Sequence, residues 1–294
     1  MRDFNHYWYE SHDGLKLYAR DYPCRHSRGH SEKTIVCIPG LTRNSADFSL
    51  LAQHLSTRFR VVSVDLRGRG KSDYDPNPSN YQPGVYARDM CSALDALELT
   101  DVVLIGTSLG GLVSILLTSM QPKRISAVIL NDIGPQPNQA GLDRIKSYVS
   151  TRNPVNSWDQ AVEQTRATLN TAYPYFTDAD WRQITENFYQ EDESGKPVLA
   201  YDPAISIPLG QEEADKTADS DLWPLFGAMR CIPTLLIHGE LSDILTQDDV
   251  AKMLEVHPAM EYTRVGCCGH APLLTEQACR LAIDQFLAQH EVQR

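Results

Sequence analysis

The sequence lacks any apolar run long enough to cross a bilayer, which takes about 18 residues or more. Residues 1–30 contain acids, arginines and histidines, but no apolar stretch of the kind that signal peptides carry. We therefore expect neither a membrane span nor a secretion signal.

Basic residues are scarce relative to acidic ones. Lys and Arg number 27 against 38 Asp and Glu, which gives a formal net charge of −11. Because binding to nucleic acid needs clustered positive charge, we expect no nucleic-acid partner. The same balance disfavours anionic small molecules, although one local arginine can outweigh it.

The cysteines lack the regular spacing of a disulfide framework. The chain has seven of them, an odd number, which favours free thiols in a reducing, cytoplasmic compartment. His26 and His30 share a polar loop, where histidines are more often solvent-exposed than metal ligands. We expect no metal site.

What the sequence does contain is an alternation of short apolar runs with helical patterns. The 294 residues, 42% hydrophobic and 22% charged, suffice for one large domain with an insertion or for two domains. Strands that alternate with helices predict an α/β fold with a doubly wound, mostly parallel sheet. The predicted strands are Thr34–Ile38, Arg60–Val64, Val102–Ile105, Ile125–Leu130, Pro233–Ile237 and Glu261–Val265, and a β-hairpin around Asp13 and Gly14 precedes them.

The pattern changes over residues 136–228, where helical segments replace strands and aromatic residues are frequent. We interpret this stretch as an inserted, mostly helical cap, and residues 1–135 and 229–294 as the core domain. Aromatic side chains at helical spacing usually pack, but several together above a site would form an apolar pocket. Trp158 and Trp181 are the candidate substrate contacts.

Gly106-Thr-Ser108-Leu-Gly110 follows the apolar run Val102–Ile105 and precedes a helical pattern. A serine squeezed between a buried strand and a helix lies on a sharp turn that exposes its hydroxyl group. The helix N-terminus directs unpaired N–H groups to the place where an oxyanion would form. This context predicts that Ser108 is a nucleophile.

Three further stretches accompany this turn: Ile35-Val-Cys-Ile-Pro39-Gly40-Leu41-Thr, Asp65-Leu-Arg67-Gly68-Arg-Gly70-Lys-Ser72 and Gly269-His270-Ala-Pro. Together the four resemble the α/β-hydrolase superfamily, although this chain has Pro39-Gly40 where His-Gly is usual. The resemblance implies a triad in the order Ser, acid, His, with His270 as the base. It also implies oxyanion donors at the backbone N–H groups of Leu41 and Leu109, and no metal or organic cofactor.

Asp243 is the predicted acid of the triad, because Leu235-Leu-Ile-His-Gly239-Glu-Leu-Ser-Asp243 resembles the acid segment of the superfamily. It stands one residue further from Gly239 than is usual. Asp132 also follows a predicted strand and remains an alternative. His238 competes with His270, although a histidine that ends a strand more often packs in the core.

The resulting prediction is a serine hydrolase that cleaves a small ester or lactone through an acyl-enzyme on Ser108. Hydrolysis of a carbon–carbon bond, a thioester or an amide by the same triad stays open. So does a catalytically idle receptor of the same fold. Arg43, close to the predicted oxyanion loop, either binds a substrate carboxylate or braces the loop. The aromatic cap and the net charge favour neutral acyl groups of short to medium length. The sequence indicates no oligomeric state.

Overall fold

The structure is a computed structural model that describes residues 3–25, 33–149, 153–208 and 221–290, so His26 and His30 lie outside the described residues. The strands of its main sheet are β1 (Asn5–Glu10), β2 (Lys16–Tyr22), β3 (Thr34–Ile38), β4 (Arg60–Asp65), β5 (Val102–Thr107), β6 (Ile125–Asn131), β9 (Thr234–Gly239) and β10 (Glu261–Val265). These eight strands lie in the order β1-β2-β4-β3-β5-β6-β9-β10. The predicted hairpin forms β1 and β2, which pair antiparallel, and β2 pairs antiparallel with β4; from β4 to β10 all neighbours are parallel. The predicted α/β fold is confirmed.

The central strand β5 is buried on both faces, as its unbroken apolar sequence predicts. Val102 and Leu104 join the hydrophobic cluster on one face, and Val103 and Ile105 join the cluster on the other. Helices cover both faces of the sheet. In the core they are α1 (Ser49–Leu55), α2 (Pro83–Ala96), α3 (Leu109–Met120), α8 (Gln247–Val256) and α9 (Gln277–His290).

The described part of the chain between β6 and β9 is mostly helical, as predicted, and we call residues 136–228 the inserted segment. Its helices are α4 (Gln139–Val149), α5 (Trp158–Leu169), α6 (Asp178–Phe188) and α7 (Trp223–Ala228), and β7 (Tyr189–Glu191) pairs with β8 (Pro197–Leu199). Thr177 and Asp180 form a reciprocal capping box that fixes the start of α6. Tyr173, Phe176 and Trp181 form an aromatic cluster, with ring centroids 4.5 Å apart for the first two and 5.0 Å for the last two.

Arg67 is fully buried and connects three parts of the core. Its guanidinium donates to Asp13 in the hairpin turn at 2.9 Å, to Asp75 at 2.5 Å and to Asp89 on α2 at 2.5 Å. His12 lies near two of these carboxylates, but Arg67 already supplies the positive charge between them. A buried charge is tolerated only when it is paired in this way, so Arg67 braces the loops.

No helix in the described part of the chain is both long and apolar enough to cross a membrane. All seven cysteines are free thiols.

Candidate active site

Ser108 lies between β5 and α3 with φ 52° and ψ −119°. A positive φ is uncommon for a residue with a side chain and persists only where its surroundings hold it. Here the flanking glycines allow β5 and α3 to approach. A Cβ at Gly110 would lie 2.0 Å from the carbonyl oxygen of Ile38, and one at Gly106 would lie 2.3 Å from that of Gly110. The Ser108 N–H also donates to the Asn131 carbonyl at 3.0 Å, which ties the turn to β6.

The structure brings Ser108 and His270 together. The Ser108 Oγ lies 2.7 Å from the His270 Nε2, a distance at which the hydroxyl can donate to the ring. His270 stands in the loop after β10, and its side chain is 7% exposed. The expected contact between these two side chains is therefore present.

The acid beside His270 is Asp132, and the prediction for Asp243 is wrong. The His270 Nδ1 lies 2.8 Å from the Asp132 Oδ2, and the other carboxylate oxygen accepts the Gly239 N–H at 2.8 Å. Asp132 is fully buried and directly follows β6, the strand next to β5. It therefore starts one strand away from Ser108, whereas Asp243 follows β9, which is two strands away.

Asp243 turns instead toward the inserted segment and forms a two-pronged ion pair with Arg144 on α4. Its side chain is 39% exposed. Burial opposes the charged form of Asp243, but the hydrogen bonds and charge of Arg144 outweigh it and lower its pKa. Next to this ion pair, the Asn138 N–H donates to the Ile244 carbonyl at 2.8 Å. This backbone hydrogen bond also holds the Asp243 loop against the inserted segment.

The structure also places His238, Leu109 and Leu41, the remaining candidate residues of the core. His238 bonds the Tyr262 hydroxyl at 3.0 Å and the Leu245 carbonyl at 2.9 Å, so it packs and does not face Ser108. Leu109 is the first residue of α3, where N–H groups lack partners inside the helix. The Leu41 carbonyl accepts the Arg69 Nε–H at 2.8 Å, which orients the loop after β3.

A cavity of about 410 Å³ contains Ser108 and His270 and is walled by both the core and the inserted segment. The segment contributes Tyr148, Leu169, Tyr173, Phe176, Ile184 and Phe188. Neither Trp158 nor Trp181 is among the described residues that line it, so the structure does not place them beside Ser108, and their contact with substrate stays a prediction. Trp181 packs behind Tyr173 and Phe176, and the Trp158 indole donates to Glu191 at 3.2 Å near the surface.

Arg43 lines the same cavity, and its guanidinium nitrogens Nε and Nη2 are engaged, while Nη1 is buried without a hydrogen-bond partner among the described residues. It forms a two-pronged ion pair with Asp47, one turn later in the chain, and stacks over the Phe188 ring, 3.5 Å from its centroid. The next residue, Asn44, donates to the Asn187 carbonyl at 2.7 Å. Of the two roles left open for Arg43, these contacts favour the brace.

Comparisons with known proteins agree with this architecture. A family model described as alpha/beta hydrolase fold matches residues 33–277. A solved structure, an alpha/beta hydrolase from Novosphingobium aromaticivorans DSM 12444, is 36% identical with a TM-score of 0.90, and the match covers 98% of this chain and 99% of that one.

Curated relatives also match most of the length of the chain, two hydrolases among them. A 3-hydroxybutyrate-oligomer hydrolase from Cupriavidus necator is 27% identical over 259 residues, which is 86% of this chain and 88% of the relative. A 2-hydroxymuconate semialdehyde hydrolase from Pseudomonas sp. (strain CF600) is 26% identical over 258 residues, which is 85% and 84%. With its family model, its sheet order and its solved relative in agreement, the chain belongs to the α/β-hydrolase family of enzymes.

Proposed function

We propose that the protein is a serine hydrolase that cleaves a carboxylic ester through an acyl-enzyme on Ser108. The observation that carries this proposal is the continuous chain of contacts from the Ser108 Oγ to the His270 Nε2 at 2.7 Å and from the His270 Nδ1 to Asp132 at 2.8 Å. A serine hydroxyl is a weak nucleophile until an adjacent base takes its proton. Asp132 fixes the ring so that Nε2 is the free acceptor, and it stabilises the imidazolium that forms.

The reaction then proceeds in two halves. The Ser108 Oγ attacks the ester carbonyl while His270 accepts its proton, and the N–H groups of Leu41 and Leu109 receive the oxyanion. The carbonyl re-forms, and the alcohol leaves with the proton from His270. Water attacks the acyl-enzyme with His270 again as the base, and the carboxylic acid leaves as Ser108 regains its proton.

We further propose that the preferred acyl group is neutral. Among the described residues, Arg43 is the one arginine that lines the cavity, and its charge is compensated by Asp47. Asp180 and Glu276 also line the cavity and add negative charge. A substrate carboxylate would lose its hydration beside a wall with a net negative formal charge. Losing hydration without gaining an opposite charge is costly in free energy. The apolar wall of Leu169, Phe176 and Ile184 instead suits a short or medium acyl chain.

In this scheme residues 136–228 act as a cap domain that encloses the acyl group, and the free thiols suit a reducing, cytoplasmic compartment. The Cupriavidus relative supports an ester substrate. The Pseudomonas relative makes hydrolysis of a carbon–carbon bond by the same triad the second candidate.

The first experiment is labelling of the purified enzyme with a fluorophosphonate probe, followed by a hydrolysis screen over esters, lactones, thioesters and vinylogous diketones. We expect the wild type to be labelled at Ser108 and to hydrolyse neutral esters fastest. An idle receptor would remain unlabelled. A faster reaction with the diketones than with the esters would move the assignment to carbon–carbon bond hydrolysis.

A second experiment tests the charge of the substrate. Specificity constants are compared for neutral esters and for matched esters that carry a free carboxylate on the acyl chain, in the wild type and in Arg43→Ala. We expect the neutral series to react faster in the wild type. A carboxylate series that is at least about tenfold faster, or about 1.4 kcal/mol, and loses this advantage in Arg43→Ala, would refute the proposal of a neutral substrate.

A further inference from the structure

The inserted segment contacts the backbone on both sides of His270. The Gly269 N–H donates to the Ala172 carbonyl at 2.7 Å, and the Tyr173 hydroxyl donates to the Ala271 carbonyl at 2.6 Å. Two successive residues of the inserted segment thus hold the two neighbours of the histidine.

The contact is too close to leave room for a side chain at position 269. A Cβ on Gly269 would lie 2.7 Å from the Ala172 Cα, so the two backbones lie directly against each other. The histidine loop therefore depends on where Ala172 and Tyr173 lie.

Tyr173 is well placed to hold this loop at all working pH values. The residue is 7% exposed, and burial raises the pKa of its phenol well above the ordinary value, so the hydroxyl remains a donor. From the core side Asn131 holds the next peptide, since its Nδ2 donates to the Pro272 carbonyl at 2.8 Å. The inserted segment thus anchors the Ala271 carbonyl group, and β6 anchors the Pro272 carbonyl group.

The ring of Tyr173 also forms part of the cavity wall and stacks on Phe176. One side chain therefore meets the substrate cavity with its ring and the histidine loop with its hydroxyl group.

We propose that Tyr173 is a positioning residue for His270, which ties the catalytic base to the wall of the substrate cavity. This inference rests on the proposed role of His270 as the base for Ser108. Without the hydroxyl group, the Ala271 carbonyl loses its partner, and the loop can move to find another one. A misplacement of about 1 Å at a catalytic group can reduce the rate by roughly 10²-fold.

Tyr189 offers a matched control in the same segment. It is also buried, and its hydroxyl group donates to Gln164 Oε1 at 2.6 Å, inside the inserted segment and away from the histidine loop. Tyr173→Phe and Tyr189→Phe each remove one oxygen atom and the hydrogen bond that it donates, which is buried for Tyr173 and partly buried for Tyr189. They differ in whether that bond reaches the backbone beside His270.

The test measures kcat and KM for a neutral ester, together with the rate of Ser108 labelling by a small fluorophosphonate, in the wild type, both variants and Ser108→Ala. We expect Tyr173→Phe to lower kcat and the labelling rate by roughly tenfold to 100-fold. KM should stay within about twofold, because the ring that lines the cavity is retained. Tyr189→Phe should stay within about twofold of the wild type in all three quantities.

Melting temperatures from circular dichroism show whether the two variants lose similar stability, as the loss of one hydrogen bond each predicts. Equal kinetic losses in both variants would mean that Tyr173 acts only through the integrity of the segment, and the proposal would be wrong. It would also be wrong if Tyr173→Phe labelled at the wild-type rate. Absence of Ser108 labelling in the wild type would instead refute the proposed function itself.

Discussion

Replacement of Asp132 by asparagine separates the two candidate acids most sharply. The carboxylate accepts a hydrogen bond on each oxygen, from the His270 ring and from the Gly239 N–H, both at 2.8 Å. An amide of the same shape has only one acceptor oxygen and cannot satisfy both donors. If that oxygen faces Gly239, the amide NH₂ group faces His270 and drives the ring proton onto Nε2.

That tautomer is the wrong one for catalysis, since Nε2 then points a proton at the Ser108 Oγ and cannot accept another. In a serine triad this change costs roughly 10⁴-fold in kcat. At about 1.36 kcal/mol for each factor of ten, the loss corresponds to about 5 kcal/mol in the activation barrier. The fold should survive, because asparagine occupies the same volume.

Asp243→Asn is the matched control, with the same change of chemistry in the loop after the neighbouring strand β9. It weakens the ion pair with Arg144, and a partly exposed pair of this kind is worth about 0.2–1 kcal/mol. The effect on kcat should stay within about threefold, since Asp243 makes no hydrogen bond to His270.

The assay measures the initial rate of hydrolysis of a neutral nitrophenyl acyl ester. Each rate is divided by the concentration of folded protein, which circular dichroism gives. Retention of more than a tenth of the wild-type kcat in Asp132→Asn, together with a collapse in Asp243→Asn, would refute the reasoning. The acid would then be Asp243 after a rearrangement of its loop.

Three further predictions concern the nucleophile, an ion pair and the thiols. Ser108→Ala should lower ester turnover by about 10⁶-fold without unfolding the protein, and residual turnover above a few per cent, measured on the purified variant, would exclude Ser108 as the nucleophile. Because the pKa of Asp243 is lowered in the folded protein, its ion pair stabilises the fold above the ordinary pKa of 3.8 and stops doing so as the pH falls through the folded value. Melting curves of the wild type and Asp243→Asn should thus differ at pH 6, and the difference should shrink only as the pH falls below 3.8 toward the lowered folded value. A difference that stays unchanged down to the most acidic pH at which the protein remains folded would contradict this assignment. Iodoacetamide should modify exposed Cys267 and Cys231 and spare Cys37, because burial raises the pKa of the Cys37 thiol; peptide mass mapping that finds Cys37 alkylated in the native protein would contradict this.

Local patterns carried most of what could be predicted. The strand, turn and helix around Ser108 are contiguous in the sequence, and a parallel sheet sends every strand end to the same edge, which is why His270 meets Ser108. The choice between Asp132 and Asp243 depends on how far two loops extend from neighbouring strands. Arg144 draws one of those loops away, and this pairing spans 99 residues.

Side-chain partners in the inserted segment could not be predicted for a similar reason. The pair formed by Arg43 and Asp47 is local, at a spacing of one helical turn, and it could have been found from the sequence. The stacking of Arg43 on Phe188 could not, since it needs the position of α6 relative to the core. The aromatic residues of the segment are predicted to pack, and Tyr173, Trp181, Phe188 and Tyr189 are buried, whereas Tyr175 is exposed. Nothing near Tyr173 in the sequence indicates that its hydroxyl group reaches the histidine loop.

The close approach of Ala172 to Gly269 has a consequence for protein engineering. In a chimera, the inserted segment of one family member is grafted onto the sheet of another. Such a graft would separate two backbones that pack so closely that a methyl group at position 269 does not fit between them. A bulkier residue at position 172 of the donor segment, or any side chain at position 269 of the recipient, would displace the His270 imidazole from Ser108 even without substrate. Chimeras built on this chain should therefore exchange residues 265–275 together with the inserted segment, as one unit.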